Sequence, residues 1–328
     1  MDPIPNLAAK CRENPKRIVL PETDDGRILE AASKVLARKT SIPVLIGPED
    51  GVMETAAGMD IDLSSAEIID PSHHPSLPGY VGEYVSMRAF RNVPAEIARR
   101  VLSKNLHFGA MMLRMGHADG LVAGASNLTA SVIKAGKLLV GLEAGTSEPS
   151  SFFIMHVPGH GPMVFADCAV NPNPTSDLLA HIATITARSA ANLLSVEPRV
   201  ALLSFSTKGS ANHPDVRKVS EATRIARELA PDLRIDGELQ ADAAVVPAVA
   251  RKKGAGEILG GRANVLIFPD LDSANIAYKL VQHLAGARAY GPFMQGFRKP
   301  VNDLSRGCTL EEIVGTIMVT SVQADDRG

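Results

Sequence analysis

Near its C-terminus the chain reads Lys299-Pro300-Val301-Asn302-Asp303-Leu304-Ser305-Arg306-Gly307-Cys308, followed by Thr309-Leu310-Glu311-Glu312. A hydroxyl, a guanidinium and a flexible glycine stand side by side. The last four residues fit a capping box: Thr309 caps the first turn of a predicted helix, and Glu312 reaches back to the Thr309 N–H. A helix start presents free N–H groups and the positive end of a dipole. Arg306 adds a planar donor fork suited to phosphate, so Ser305, Arg306 and the helix start can form an anion site. An ordinary capped helix has the same residues, and spacing leaves both readings open.

Other groups invite a chemical reading beside a plainer one. Ser204-Phe205-Ser206-Thr207-Lys208-Gly209-Ser210 follows a predicted buried strand. Ser206, Thr207 and Lys208 at the C-terminal edge of a strand suit a phosphorylated ligand, because clefts open there in α/β sheets. The Walker A order is missing, and a polar loop is the alternative. Asp236, Glu238 and Asp242 flank a turn, where carboxylates do acid–base work, hold a metal or cap a helix. Asp272 reads as the cap of the next helix. His156 and His160 flank a Pro-Gly turn rather than a helix, so they form no metal face. Arg88 and Arg91 are surface charges or phosphate clamps. Met111, Met112 and Met115 read as core fillers.

The elements that must position these residues alternate between short β-rich runs and longer helical patterns. Predicted strands are 17–20, 43–46, 67–69 and 120–123, with helices over 25–37, 80–90, 94–103 and 108–115. After a polar link around 143–149 come two apolar runs, 152–157 and 163–170, read as antiparallel neighbours. A long helix over 176–194 follows. Strands 200–204, 233–239 and 264–268 then alternate with helices 216–229, 243–251 and 275–284, and a last helix covers 310–323. The alternation implies an α/β fold with parallel sheets covered by helices.

At 328 residues the chain exceeds what one core usually serves, so two domains are expected. The net charge of −2, the absence of Trp and the scattered basic residues argue against nucleic acid as a partner. No apolar run is long enough to span a membrane, and the polar stretch from Met1 to Lys16 lacks the apolar centre of a signal peptide. Cys11, Cys168 and Cys308 are widely spaced, which argues against a disulfide framework and a cysteine-rich zinc site. A reducing, cytoplasmic home is the expectation.

The combined string resembles the phosphate acetyltransferase (phosphotransacetylase) family. The matching blocks are RIVLPETDDGRILEAA, DGLVAGASN, SFFIM, LSFSTKGSA, DGELQADAAVVP, NVLIFPDLDSANIAYKL, AYGPFMQGFRKPVNDLSRGC and EEIVG. They run in family order from about residue 17 to residue 324. The resemblance implies reversible acyl transfer: acetyl-CoA plus phosphate giving acetyl phosphate plus CoA. It implies a two-domain α/β/α sandwich, related to the isocitrate dehydrogenases, with the cleft between domains. The C-terminal segment returns to the first domain, giving 1–147 plus 296–328 against 148–295. A homodimer is implied, with coenzyme A as substrate and no metal or other cofactor.

By the same resemblance Ser305, Arg306 and Glu312 are the catalytic group, with Ser305 a hydrogen-bond donor rather than an acylated nucleophile. Arg88, Thr129, Lys134, Ser206, Thr207, Lys208 and Asn302 contact CoA or phosphate. Three positions depart from the family pattern. Glu312 stands where an Asp base is usual, Leu128 replaces a hydroxyl, and Lys134 replaces an Arg, keeping the charge without the bidentate fork. Transfer of propionyl or butyryl groups is the alternative activity. A non-catalytic acyl-CoA-binding regulatory domain is the alternative from another class. A dehydrogenase of similar fold is disfavoured, since no G-x-G-x-x-G follows a strand.

Overall fold

A computed structural model describes residues 4–325; the outer ends of the expected first domain, residues 1–3 and 326–328, lie outside the described residues. The chain divides into two compact units, Glu143–Gly296 and Ile4–Leu142 joined by the chain from Phe297 onward. The strands are β1 (Lys16–Leu20), β2 (Ser41–Ile46), β3 (Glu67–Ile69), β4 (Gly120–Ala123), β5 (Ser150–Val157), β6 (Gly161–Ala166), β7 (Arg199–Leu203), β8 (Arg234–Leu239), β9 (Val265–Ile267), β10 (Arg288–Gln295) and β11 (Val301–Asp303).

In the discontinuous unit the sheet order is β11-β4-β1-β2-β3, and every neighbouring pair is parallel. Ile18-Val19-Leu20 and Val44-Leu45-Ile46 are fully buried, as strands covered on both faces must be. Helix Gly26–Ala37 buries Ile28, Leu29, Ala31, Ala32 and Val35, and Asp25 caps it by accepting the Arg27 N–H. Helix Leu310–Asp325 brings Ile313, Val314, Ile317 and Val319 into the same core. Parallel strands deliver three turns to one sheet edge: Pro21-Glu22-Thr23 after β1, Gly124–Asn127 after β4, and Leu304-Ser305-Arg306 after β11.

In the continuous unit the order is β10-β5-β6-β9-β7-β8. β5 and β6 form the expected antiparallel pair, with Phe153 opposite Phe165. β6, β9, β7 and β8 run parallel, and β10 adds an antiparallel edge. Phe153, Met155, Phe165, Leu203, Leu266 and Phe268 build the core. Helix Ser176–Leu194 starts where Thr175 accepts the Leu178 N–H.

Two expectations are corrected. The helix read over 243–251 is split into Ala241–Val245 and Pro247–Lys252, because Pro247 lacks an N–H and starts the second piece instead. The helix Leu271–Leu284 is capped by Asp270, which accepts the Ser273 N–H at 2.8 Å; Asp272 lies in the first turn.

Candidate active site

The turn after β11 carries the exposed side chains of Ser305 and Arg306. The capping box forms as read: Glu312 Oε2 accepts the Thr309 N–H at 2.7 Å, and Thr309 Oγ1 accepts the Glu312 N–H at 3.3 Å. Arg27 braces the turn from helix Gly26–Ala37. Its Nη1 donates to the carbonyls of Arg306 at 3.1 Å and Cys308 at 2.8 Å. Asp25 holds that guanidinium by two bonds, Nε to Oδ1 at 3.0 Å and Nη2 to Oδ2 at 2.6 Å. The side-chain bond from Arg27 in turn keeps the Asp25 carboxyl below its ordinary range.

β11 itself faces inward. Asn302, expected among the ligand contacts, is fully buried and donates to Thr320 Oγ1 at 2.8 Å and Gln323 Oε1 at 2.7 Å. It ties the strand to the C-terminal helix instead, since a side chain with no exposed surface cannot meet substrate. Asp303 is 7% exposed and accepts from Thr129 Oγ1 at 2.6 Å. Its other oxygen, Oδ1, is buried without a partner. Burial pushes the Asp303 carboxyl up to about 6, against the Thr129 bond and with help from the Glu22 charge.

The Thr129–Asp303 bond joins the start of helix Thr129–Ala135 to the end of β11. The turn before that helix wraps around Glu22, which is 1% exposed and accepts from the backbone N–H groups of Gly124, Ala125, Ser126 and Asn127. Beside the turn opens a cavity of about 680 Å³, lined by Asp24, Lys104, His107, Asn127 and Ser131 among others. Burial, then the charges of Lys104 and Lys134, hold His107 below the ordinary imidazole range, so it is neutral at neutral pH. Its Nδ1 is buried and unpartnered. Lys134 is exposed. Arg88 follows helix Leu77–Met87, 5.8 Å above the Tyr84 ring, with its Nε buried and unpartnered.

In the continuous unit, Ser206, Thr207 and Lys208 belong to a turn closed by its own bonds. Glu238 accepts from Ser206 Oγ at 3.0 Å, the Gly209 N–H at 2.7 Å and Ser220 Oγ at 2.7 Å. Burial raises the Glu238 carboxyl, but these donors outweigh it and leave the group below its ordinary range. Thr207 Oγ1 lies 3.2 Å from Gln240 Oε1, and Lys208 pairs with buried Asp236, which Arg227 also holds at 2.6 Å. Asp236 and Glu238 therefore shape this turn, whereas Asp242 pairs with Lys253.

Sequence reasoning missed Glu22, Asp25, Arg27 and Asp303 as parts of the site. Each lies within a quoted motif block, RIVLPETDDGRILEAA or PVNDLSRGC, and block membership was the available signal. What each does there depends on partners far along the chain.

Within its own unit, the turn after β11 thus presents a hydroxyl, a guanidinium and a capping carboxylate, held by Arg27 and Asp303. Such a set offers donors to a developing oxyanion and an acceptor for a proton. The profile of the phosphate acetyl/butaryl transferase family matches residues 3–321. A phosphate acetyltransferase of Thermoanaerobacterium thermosaccharolyticum is 48% identical over 99% of this chain and all of its own length. A phosphotransacetylase structure from Staphylococcus aureus superposes with a TM-score of 0.93 at 40% identity, covering 98% of both chains. One from Streptococcus pyogenes gives 0.93 at 38% identity, covering 98% of this chain and 99% of its own. With a profile spanning nearly its whole length, the chain belongs to the phosphate acetyl/butaryl transferase family.

Proposed function

We propose that the protein catalyses reversible acetyl transfer between coenzyme A and inorganic phosphate, and that Ser305, Arg306 and Glu312 carry the chemistry. The observation that supports this most is the exposed Ser305-Arg306 turn on a braced helix start, in a chain 48% identical to a phosphate acetyltransferase.

A thiol is a poor nucleophile until deprotonated, and its pKa lies above neutrality. Glu312 accepts the CoA thiol proton. The thiolate attacks the acetyl phosphate carbonyl; the carbon–sulfur bond forms, and the bond from carbonyl carbon to phosphate oxygen breaks. Ser305 donates to the carbonyl oxygen as charge builds there, and one such donor contributes about 2.7–4 kcal/mol. Arg306 neutralises the departing phosphate through its fork. A carboxylate has about four lone-pair directions, so the capping bonds of Glu312 leave it room to accept a proton. Lys134, Thr129 and Arg88 are assigned to CoA or phosphate contacts, as are Thr207 and Lys208; Ser206, fully buried like Asn302, bonds Glu238 within the fold instead.

The test is phosphate-dependent, or arsenate-dependent, loss of acetyl-CoA thioester absorbance with purified protein. Propionyl-CoA and butyryl-CoA in the same assay separate the acyl preferences by kcat/KM. Acetyl-CoA binding by calorimetry without turnover of any short acyl-CoA would favour the regulatory reading.

We further propose a homodimer. Ile276, Leu280 and Leu284 are 56%, 51% and 81% exposed, four residues apart along helix Leu271–Leu284. That spacing places them on one face, and a contiguous apolar stripe is ordinarily covered. Sedimentation should give a dimer, and Leu280→Lys should shift it toward monomer. The three cysteines are all free thiols, in keeping with a cytoplasmic home.

A further inference from the structure

Glu22 stands just past the end of β1, yet the bonds of its carboxylate all go to another strand's turn. Gly124 N–H lies 3.0 Å from Oε1 and 2.9 Å from Oε2; Ala125 N–H meets Oε2 at 2.8 Å. Ser126 N–H and Asn127 N–H meet Oε1 at 3.1 and 2.7 Å, and Asn127 Nδ2 adds a bond at 2.8 Å. Four consecutive backbone N–H groups converging on one point form an anion nest, the geometry that cradles phosphates elsewhere. Here the chain fills the nest with its own carboxylate. The turn's donors are thereby taken, and its shape is set by a charge that does not leave.

The turn leads directly into Thr129, which bonds Asp303 at the end of β11, and into the helix bearing Lys134. Its own side chains Ser126 and Asn127 line the 680 Å³ cavity. We propose that Glu22 is a positioning residue for substrate binding: a built-in anion that holds the Gly124–Asn127 turn so that Asn127, Thr129 and Lys134 meet CoA or phosphate in register. This rests on the acyl-transfer reading for its kinetic arm only. Glu22 is given no part in proton transfer, since the donors of the turn already occupy the lone-pair directions of its carboxylate.

The experiment uses the full chain as wild type, Glu22→Ala and Glu22→Gln, with sodium formate as the probe anion. Folding is checked by circular dichroism and thermal melting. Amide exchange is followed over residues 124–127, and KM and kcat are measured at saturating second substrate. Glu22→Ala should lose protection of these amides and raise the KM for CoA by about tenfold or more, with a smaller change in kcat. Formate enters the emptied nest and should restore both protection and KM. Glu22→Gln, which fills the space without charge, should show the defect and resist rescue. Unchanged exchange in Glu22→Ala overturns the proposal, as does a loss confined to kcat or a defect that formate leaves untouched. If both variants unfold, Glu22 is a stability residue and the proposal falls. If wild type turns over no acyl-CoA, the acyl-transfer reading fails instead, and the exchange and formate arms still decide the role of Glu22.

Discussion

Glu312 and Thr309 hold each other: the carboxylate accepts the Thr309 N–H at 2.7 Å, and the Thr309 hydroxyl accepts the Glu312 N–H at 3.3 Å. The residue assigned as base is thus also a helix cap, and the two roles respond differently to substitution. Gln closes the same box, so Glu312→Gln should melt like wild type. It cannot take a proton at neutral pH, so turnover should drop about a hundredfold or more. Glu312→Asp should stay active. Near-normal turnover by Glu312→Gln would remove Glu312 from the chemistry.

Asp303 should make stability depend on pH in a defined direction. Its carboxyl sits at about 6 when folded, chiefly through burial, against an ordinary value of about 4 in the unfolded chain. Between those values the folded state binds more protons, so rising pH destabilises the wild type. Relative to wild type, Asp303→Asn should gain on the order of 2 kcal/mol as pH rises from about 4 to about 6. Urea unfolding of both proteins across that window gives the difference; a flat difference would contradict the buried placement.

Gly124 has no room for a side chain. Its φ is +117°, and a Cβ would lie 2.5 Å from Asp303 Oδ1 and from the Leu304 carbonyl oxygen. Gly124→Ala combines backbone strain with a clash against chain that cannot rotate away. It should cost about 3 kcal/mol or more by chemical denaturation.

Arg27 touches the Ser305–Cys308 turn through the Arg306 and Cys308 carbonyls and the Cys308 thiol, and not through Ser305 Oγ or the Arg306 guanidinium, so its loss should loosen the turn without removing a reacting group. Arg27→Lys loses the fork that grips Asp25 and the carbonyls together, and should lower kcat/KM about tenfold or more. Asp25→Ala should give a similar defect, and the double variant should be little worse than either, because the pair acts as one brace. Additive losses in kcat/KM would show two independent roles.

Lys134 offers charge without a fork. Lys134→Ala should raise the KM for CoA or phosphate, with the defect shrinking as salt is added, while Lys134→Arg should lower it below wild type. A KM indifferent to both changes would place Lys134 away from the ligand.

The parts legible in the sequence were those decided over short spans. The Thr309–Glu312 box lies within one helical turn, and helix Ser176–Leu194 was readable from its apolar period and polar flanks. β11 was not. Val301-Asn302-Asp303 has the polar composition of a loop, and becomes a buried strand only because Thr320, Gln323 and Thr129 satisfy its side chains. Glu22 was equally silent, since the four N–H groups that give it meaning begin 102 residues later. Carboxylates in such places look like turn residues until the distant strand arrives.

The discontinuous unit has a consequence for how the chain is made. β11 completes the edge beside β4, and Ser321 bonds Ser41 from 280 residues away. During synthesis the ribosome must add all of Glu143–Gly296 between those partners, which takes on the order of ten seconds or more. The contiguous unit can fold as it emerges, while the nascent β4 waits with one edge open to mispairing. Ser305 and Arg306 follow the strand that closes that edge, so their turn takes shape only after β11 has emerged and paired with β4.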